Sequence, residues 1–223
     1  MKKILAFIPI LILVTAVFAI PNKEPIDSVT LIHYKDGRVK VGGGSCSKLL
    51  GVKWTNLPVS YVINPDGYNE AFVTNAISTS ANTWDSATSK QLFDGYTKDY
   101  NVAWGIRDDK NVYVFGRYSN DNVIAVTTYW YTRNSKQLVE YDVLFNTYYN
   151  WKDCSIGCDT SPSSKDMDLE TIALHETGHG LGSADVYSQA CSYVVMYGYG
   201  SPGEIKRALT QSDVNGIWKL YGQ

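Results

Sequence analysis

The sequence predicts an α/β fold of the α+β kind, with helices packed on a sheet. Three observations carry this: a long helix-compatible stretch comes first, a block of strand-like segments follows, and two more helix-compatible stretches close the chain. Between Tyr68 and Thr88, Phe72, Ala76, Ala81 and Trp84 recur at near-helical spacing with no Pro or Gly, as in a long amphipathic helix. Val112–Phe115, Val123–Tyr131 and Leu138–Phe145 are β-branched and aromatic runs separated by Gly, Asn, Asp and Ser, and they read as strands. Lys53–Ile63 is a further strand candidate. Asp166–Leu181 fits a second helix, with acidic residues in its first turn and Gly182 just past its end. Gln211–Tyr221 fits a third, with Thr210 as N-cap and Asp213 in the third position of a capping-box pattern.

The 223 residues are 44% hydrophobic and 19% charged, which excludes collagen-like, low-complexity and coiled-coil chains. Twenty Lys and Arg against 22 Asp and Glu are too balanced for binding by phosphate neutralisation, so no nucleic-acid partner is expected. Met1-Lys2-Lys3 precedes an apolar run from Ile4 to Ile20 that holds Pro9 and passes through Val17-Phe18-Ala19. This reads as a secretory signal peptide cut after Ala19. Val29–Tyr34 and Val39–Val41 flank Lys35-Asp36-Gly37-Arg38, the pattern of a small hairpin with an Asp-Gly turn. Gly42-Gly43-Gly44 reads as a hinge. The expected organisation is therefore a signal peptide at 1–19, a short N-terminal extension or propeptide at 20–45, and the main domain at 46–223. A secreted monomer with no stable membrane association after signal cleavage is expected.

Export places Cys46, Cys154, Cys158 and Cys191 in an oxidising environment, where an even count suggests two disulfides. Three pairings are open; closing the short loop between Cys154 and Cys158 leaves Cys46 to Cys191. Cys46 has a second reading as a thiol that blocks a metal.

The chemistry concentrates in His175-Glu176-Thr177-Gly178-His179-Gly180-Leu181-Gly182-Ser183-Ala184-Asp185. Two His four residues apart lie on one helix face about 6 Å apart along the axis, a spacing that offers both imidazoles to one Zn²⁺. Glu176 projects beside them as a carboxylate able to take a proton from water. Gly182 tolerates positive φ and lets the chain turn so that Asp185 returns toward the metal as third ligand. The pattern H-E-x-x-H alone arises by chance in roughly one chain of this length in two hundred, and Gly182 with Asp185 lowers that by about two decades more. His33, in the extension, reads as a surface or hairpin residue.

This extended motif resembles that of the metzincin metallopeptidases, in the variant, as in snapalysin, whose third ligand is Asp. Ser192-Tyr-Val-Val-Met196-Tyr197 resembles the family's Met-containing turn, with Met196 as a hydrophobic floor under the ligands. Leu209–Gly222, Asp142–Asn146 and Trp151 look like the closing helix and the pre-helix strand of matrixins. The resemblance implies a twisted, mostly parallel sheet with an antiparallel edge strand, a long N-terminal helix, a zinc-binding helix and a C-terminal helix. It implies one catalytic zinc, with Glu176 as general base, and a protein or peptide substrate lying antiparallel along the edge strand Val123, Ile124, Ala125, Val126, Thr127 and on to Tyr129. Tyr197 and Tyr199 are expected to pack or line a pocket. The matrixin cysteine-switch motif and the histidine-rich structural-zinc loop are not found, and a structural Ca²⁺ has no support in the sequence. The function expected is a secreted zinc endopeptidase. The alternatives are a non-catalytic exported zinc-binding adhesion or envelope module, and a cell-wall peptide amidase.

Overall fold

The computed structural model describes residues 24–35 and 44–223. The signal-peptide reading and the turn and second strand of the expected hairpin lie outside them. In chain order the elements are β1 (Ile26–Lys35), β2 (Lys48–Leu49), β3 (Val59–Ile63), α1 (Glu70–Asp85), β4 (Phe93–Lys98), β5 (Val112–Gly116), β6 (Val123–Thr132) and β7 (Leu138–Asn146). Then follow β8 (Asn150–Lys152), β9 (Asp166–Asp168), α2 (Leu169–Gly180), β10 (Ser183–Ala184), β11 (Tyr199–Gly200) and α3 (Gln211–Tyr221).

A seven-stranded sheet runs in the order β11-β1-β6-β7-β5-β3-β4. Pairing is parallel throughout except at β1–β6 and β6–β7. The mixed, mostly parallel sheet with three helices is the architecture expected. The expectation for β6 needs correction. It is antiparallel, but it is not an edge: β1 pairs with its outer side from Ile26↔Thr132 to Tyr34↔Val123. Val29–Tyr34 is thus a strand whose neighbours are β6 and β11.

Two other boundaries moved. The Lys53–Ile63 strand begins only at Val59, directly after Pro58, which has no N–H to give a ladder. The second helix starts at Leu169 because Asp166–Asp168 pair in parallel with β8. Asp168 then serves as the N-cap, accepting from Thr171 N at 3.0 Å.

α1 and α2 pack together over one face of the sheet. Trp84, fully buried, donates its indole N–H to Leu174 O at 2.8 Å, and Ser80 Oγ donates to Glu170 O at 3.1 Å. Every residue of α2 except Glu170 is buried, as expected of a helix enclosed on all sides. Its C-terminal carbonyls, which have no partner within the helix, are taken from outside. Trp54 Nε1 donates to Gly180 O at 2.8 Å, and Tyr221 Oη to Leu181 O at 2.7 Å. Gly182 follows at φ +101°, and a Cβ there would lie 2.4 Å from Val52 O, so only glycine makes this turn.

Cys46–Cys191 and Cys154–Cys158 are bonded, with Cα–Cα separations of 5.2 and 5.0 Å. The first ties the start of the main domain to the turn that follows Asp185.

At the other end of α2, fully buried Asp168 is held by Arg207, which also reaches Asp153 and Glu170. Burial alone would raise the Asp168 pKa, but Arg207 and the N–H groups of Cys154 and Thr171 bring it below the ordinary aspartate value. Arg207→Ala leaves this carboxylate buried without its cation, and urea unfolding should show a loss of about 3 kcal/mol. Lys98→Ala breaks only the exposed Glu70 pair and should leave the midpoint nearly unmoved. Equal effects from the two would mean that Arg207 does not anchor the helix.

Candidate metal centre

One turn of α2 apart, the rings of His175 and His179 lie edge-to-face with centroids 4.7 Å from each other. Each Nδ1–H donates to a backbone carbonyl: His175 to Val195 O at 2.8 Å, and His179 to Ser183 O at 2.9 Å. Both rings are thereby fixed in the tautomer that leaves a lone pair on Nε2, the arrangement that orients metal-binding histidines. Gly182 turns the chain so that Asp185 Oδ1 comes to 3.2 Å from His175 Nε2 and 3.4 Å from His179 Nε2. Neither approach has hydrogen-bond geometry. His175 Nε2, His179 Nε2 and Asp185 Oδ1 are all buried without a hydrogen-bond partner. Three converging electron-pair donors in a buried site are costly unless a cation meets them, and two imidazoles with one carboxylate suit Zn²⁺. The residues fit the metal.

Without a metal the site holds a proton instead: burial opposes the charged form of His179, yet Asp185 beside it raises the pKa to about 9, so a cation bound there would displace that proton. Burial would raise Asp185, but the two imidazoles hold it well below the usual carboxylate range. Tyr187 Oη donates to the other Asp185 oxygen at 2.9 Å, leaving Oδ1 to face the histidines.

Glu176 is fully buried between two partners. Thr127 Oγ1, from β6, donates to Oε2 at 2.6 Å, and His33 Nδ1, from β1, donates to Oε1 at 3.2 Å. Burial would raise this carboxyl, but the His33 hydrogen bond and the neighbouring histidines bring it below the ordinary glutamate value. It is an ionised acceptor.

His33 requires a second correction. Far from being a surface residue, it is 3% exposed, with its ring 3.9 Å centroid to centroid from that of His175. His33, His175 and Glu176 form a second group whose ligand atoms, like those of the first, all lie within 4.8 Å of one another.

Met196 packs under α2 at Gly178, where a Cβ would come within 2.4 Å of its Sδ and 2.8 Å of the Trp84 ring. The turn above it is held by Asp213 of α3, whose carboxylate accepts from Val195 N at 3.2 Å and Met196 N at 3.3 Å while also closing the capping box with Thr210. Tyr197 and Tyr199 line a small cavity with His33, Ile172, His175 and Val195. Val123–Thr127 lie beside this cluster, paired on one side with β7 and on the other with β1. Cys46 is spent in its disulfide and brings no thiol to the site.

Residues 53–222 match the matrixin family model. The chain belongs to the matrixin family. It is also similar to Metalloendoproteinase 1 of Glycine max, 42% identical over 65 residues, a stretch covering 28% of this chain and 19% of that protein. The chain thus spans about a fifth of the length of this curated relative. The matrixin match begins after β1 and β2, so β6 is the last long strand of the matching sheet and β1 lies outside it.

The packing at Gly178 makes a direct prediction for this matrixin. Gly178→Ala should destabilise by about 1–3 kcal/mol in urea unfolding, because the added methyl overpacks against Met196 and Trp84. Gly178→Ala combined with Met196→Ala should recover part of that loss relative to the two single effects added together. Strict additivity would show that Met196 does not pack where the site needs it.

Proposed function

We propose that this matrixin is an exported zinc-dependent endopeptidase, with His175, His179 and Asp185 as metal ligands and Glu176 as general base. The observation that carries the reading is the convergence of three buried, partnerless donor atoms beside an ionised, buried carboxylate. Family membership and the name of the similar protein support it, and the two disulfides suit an oxidising compartment. Among the described residues no helix is long and apolar enough to cross a membrane.

When bound, zinc supplies Lewis acidity, lowering the pKa of water and polarising a carbonyl oxygen. The chain's own residues do the rest. Val195 O and Ser183 O hold the two imidazoles in the binding tautomer, and Tyr187 orients Asp185. Thr127 aims the Glu176 carboxylate. Glu176 takes a proton from the attacking water at Oε1 and returns it to the leaving amine nitrogen, so that water and one peptide bond become a carboxylate and an amine. The substrate is a protein or peptide in extended form, paired with the outer side of Val123–Thr127 by β-augmentation.

Two variants test these assignments. The purified protein should hold about one zinc per chain, and Asp185→Ala should weaken retention by about 10-fold or more in chelator competition. Unchanged retention would place the third ligand elsewhere. Glu176→Gln should keep zinc and fold, while peptide-library hydrolysis drops about 10²–10⁴-fold; turnover within a few-fold of wild type would refute the general-base role.

A further inference from the structure

The side of α2 turned away from the metal ligands carries little side chain. At about 100° per residue, Thr177 lies about 160–200° round the helix from His175 and His179, with Gly178 and Gly180 close by. Both glycines are tightly packed. A Cβ at Gly178 would press on Met196 and Trp84, and one at Gly180 would come within 2.9 Å of the Tyr141 ring. Without side chains to interlock, these contacts set how closely the helix approaches more than how it is rotated, because dispersion attraction has no direction of its own. Bonds from Ser80, Trp84 and Trp54 hold the α2 backbone at Glu170, Leu174 and Gly180, on either side of the 175–179 turn.

Thr177 supplies a directional contact within that turn. Its Oγ1 is 2.8 Å from Tyr113 Oη, which is in turn 3.1 Å from Tyr141 Oη. All three residues are fully buried. The two tyrosines stand on neighbouring central strands: Tyr113 of β5 pairs with Val143 of β7, two residues on from Tyr141. Their rings meet edge to face at 5.8 Å, and Tyr61 of β3 meets Tyr113 in the same way at 5.5 Å, which fixes the ring that carries the middle hydroxyl. Burial pushes the Tyr113 phenol up to about 12 and that of Tyr141 well above its ordinary value, so both stay neutral.

Three hydroxyls inside an apolar core add little to stability, since phenylalanine and valine would fill nearly the same space with no polar group to satisfy. What they add is direction. A hydrogen bond weakens steeply away from its preferred angle, and a connected buried network specifies one arrangement of the groups that carry it. Thr177 follows Glu176 and lies midway between His175 and His179, so a rotation of the helix here would move all three.

We infer that Tyr113 is a positioning residue: braced by Tyr141, it fixes the rotation of the 175–179 turn through Thr177 and so aligns Glu176 with the metal ligands. The inference rests on the peptidase reading of the α2 site and extends it from the residues around the metal to the sheet behind them.

The test uses the full chain with Tyr113→Phe, Tyr141→Phe and Thr177→Val made together, so that none of the three partners is left unsatisfied. Urea unfolding, peptide-library turnover and the visible absorption of the Co²⁺-loaded protein, whose bands report ligand geometry, are read against wild type. The urea midpoint should stay at or above that of wild type. Meanwhile kcat should fall about tenfold or more with KM changed by less than about threefold, and the Co²⁺ bands should shift. Tyr113→Phe alone should also lower the midpoint, because it strands two hydroxyls. Turnover near that of wild type, or unmoved bands, in the triple variant would overturn the inference and leave the peptidase reading standing. Should the triple variant not fold, Thr177→Ser is set against Thr177→Val. Serine keeps the hydroxyl and should retain most of the turnover and the wild-type bands, whereas valine should lose both; equal readings overturn the inference. If wild type binds the metal but hydrolyses nothing, the peptidase reading falls, and the band shift alone then upholds or overturns the positioning role.

Discussion

The centre of this protein is a set of lone pairs with nowhere to go. His175 Nε2, His179 Nε2 and Asp185 Oδ1 meet in the interior without a hydrogen-bond partner, and a folded chain keeps such atoms together only if something else fixes them there. What fixes them is mostly backbone. Val195 O and Ser183 O take the opposite ring nitrogens, and the turn at Gly182 delivers Asp185. Those carbonyls are in turn held by distant parts of the fold: Asp213 grips the N–H groups of Val195 and Met196, and Trp54 and Tyr221 receive the end of α2. The burial of α2 on all sides follows from the same need, since a helix free to shift by a fraction of an ångström would scatter the donors.

This dependence explains which features could be read from the sequence. The α2 site was legible because its information is local: four residues separate the histidines, and a glycine and an aspartate follow at fixed offsets. The long helix α1 and the strands β5 to β7 were legible through periodicity, which needs no knowledge of partners. Asp213 was visible only as a helix cap. Its second use, holding the Met196 turn, joins α3 to a loop with no sequence signal between them. Thr127 was recognised as part of a strand, but nothing in a period-2 pattern tells which of its neighbours meets a carboxylate.

His33 shows the same limit most sharply. It meets Glu176 across 143 residues of sequence, brought there by strand pairing. Alternation within Val29–Tyr34 indicates a strand, but it does not say which strand is its partner, and β6 lies about a hundred residues further along the chain. Without β1, the outer N–H and C=O groups of β6 would be unpaired, and an unpaired edge is a liability that a neighbouring strand removes. A strand tethered to the same molecule finds that edge at high effective concentration.

Covalent connectivity distinguishes how the main domain is attached from how β1 is attached. The Cys46–Cys191 bond lies downstream of residues 36–43, so it secures the main domain to the loop after Asp185 without securing β1. β2, which begins two residues after Cys46, pairs with β10 immediately before Asp185, reinforcing the same attachment. β1 is held by its ladder with β6, by Leu31, Ile32 and Tyr34 packed against buried hydrophobic clusters, and by polar contacts at its ends.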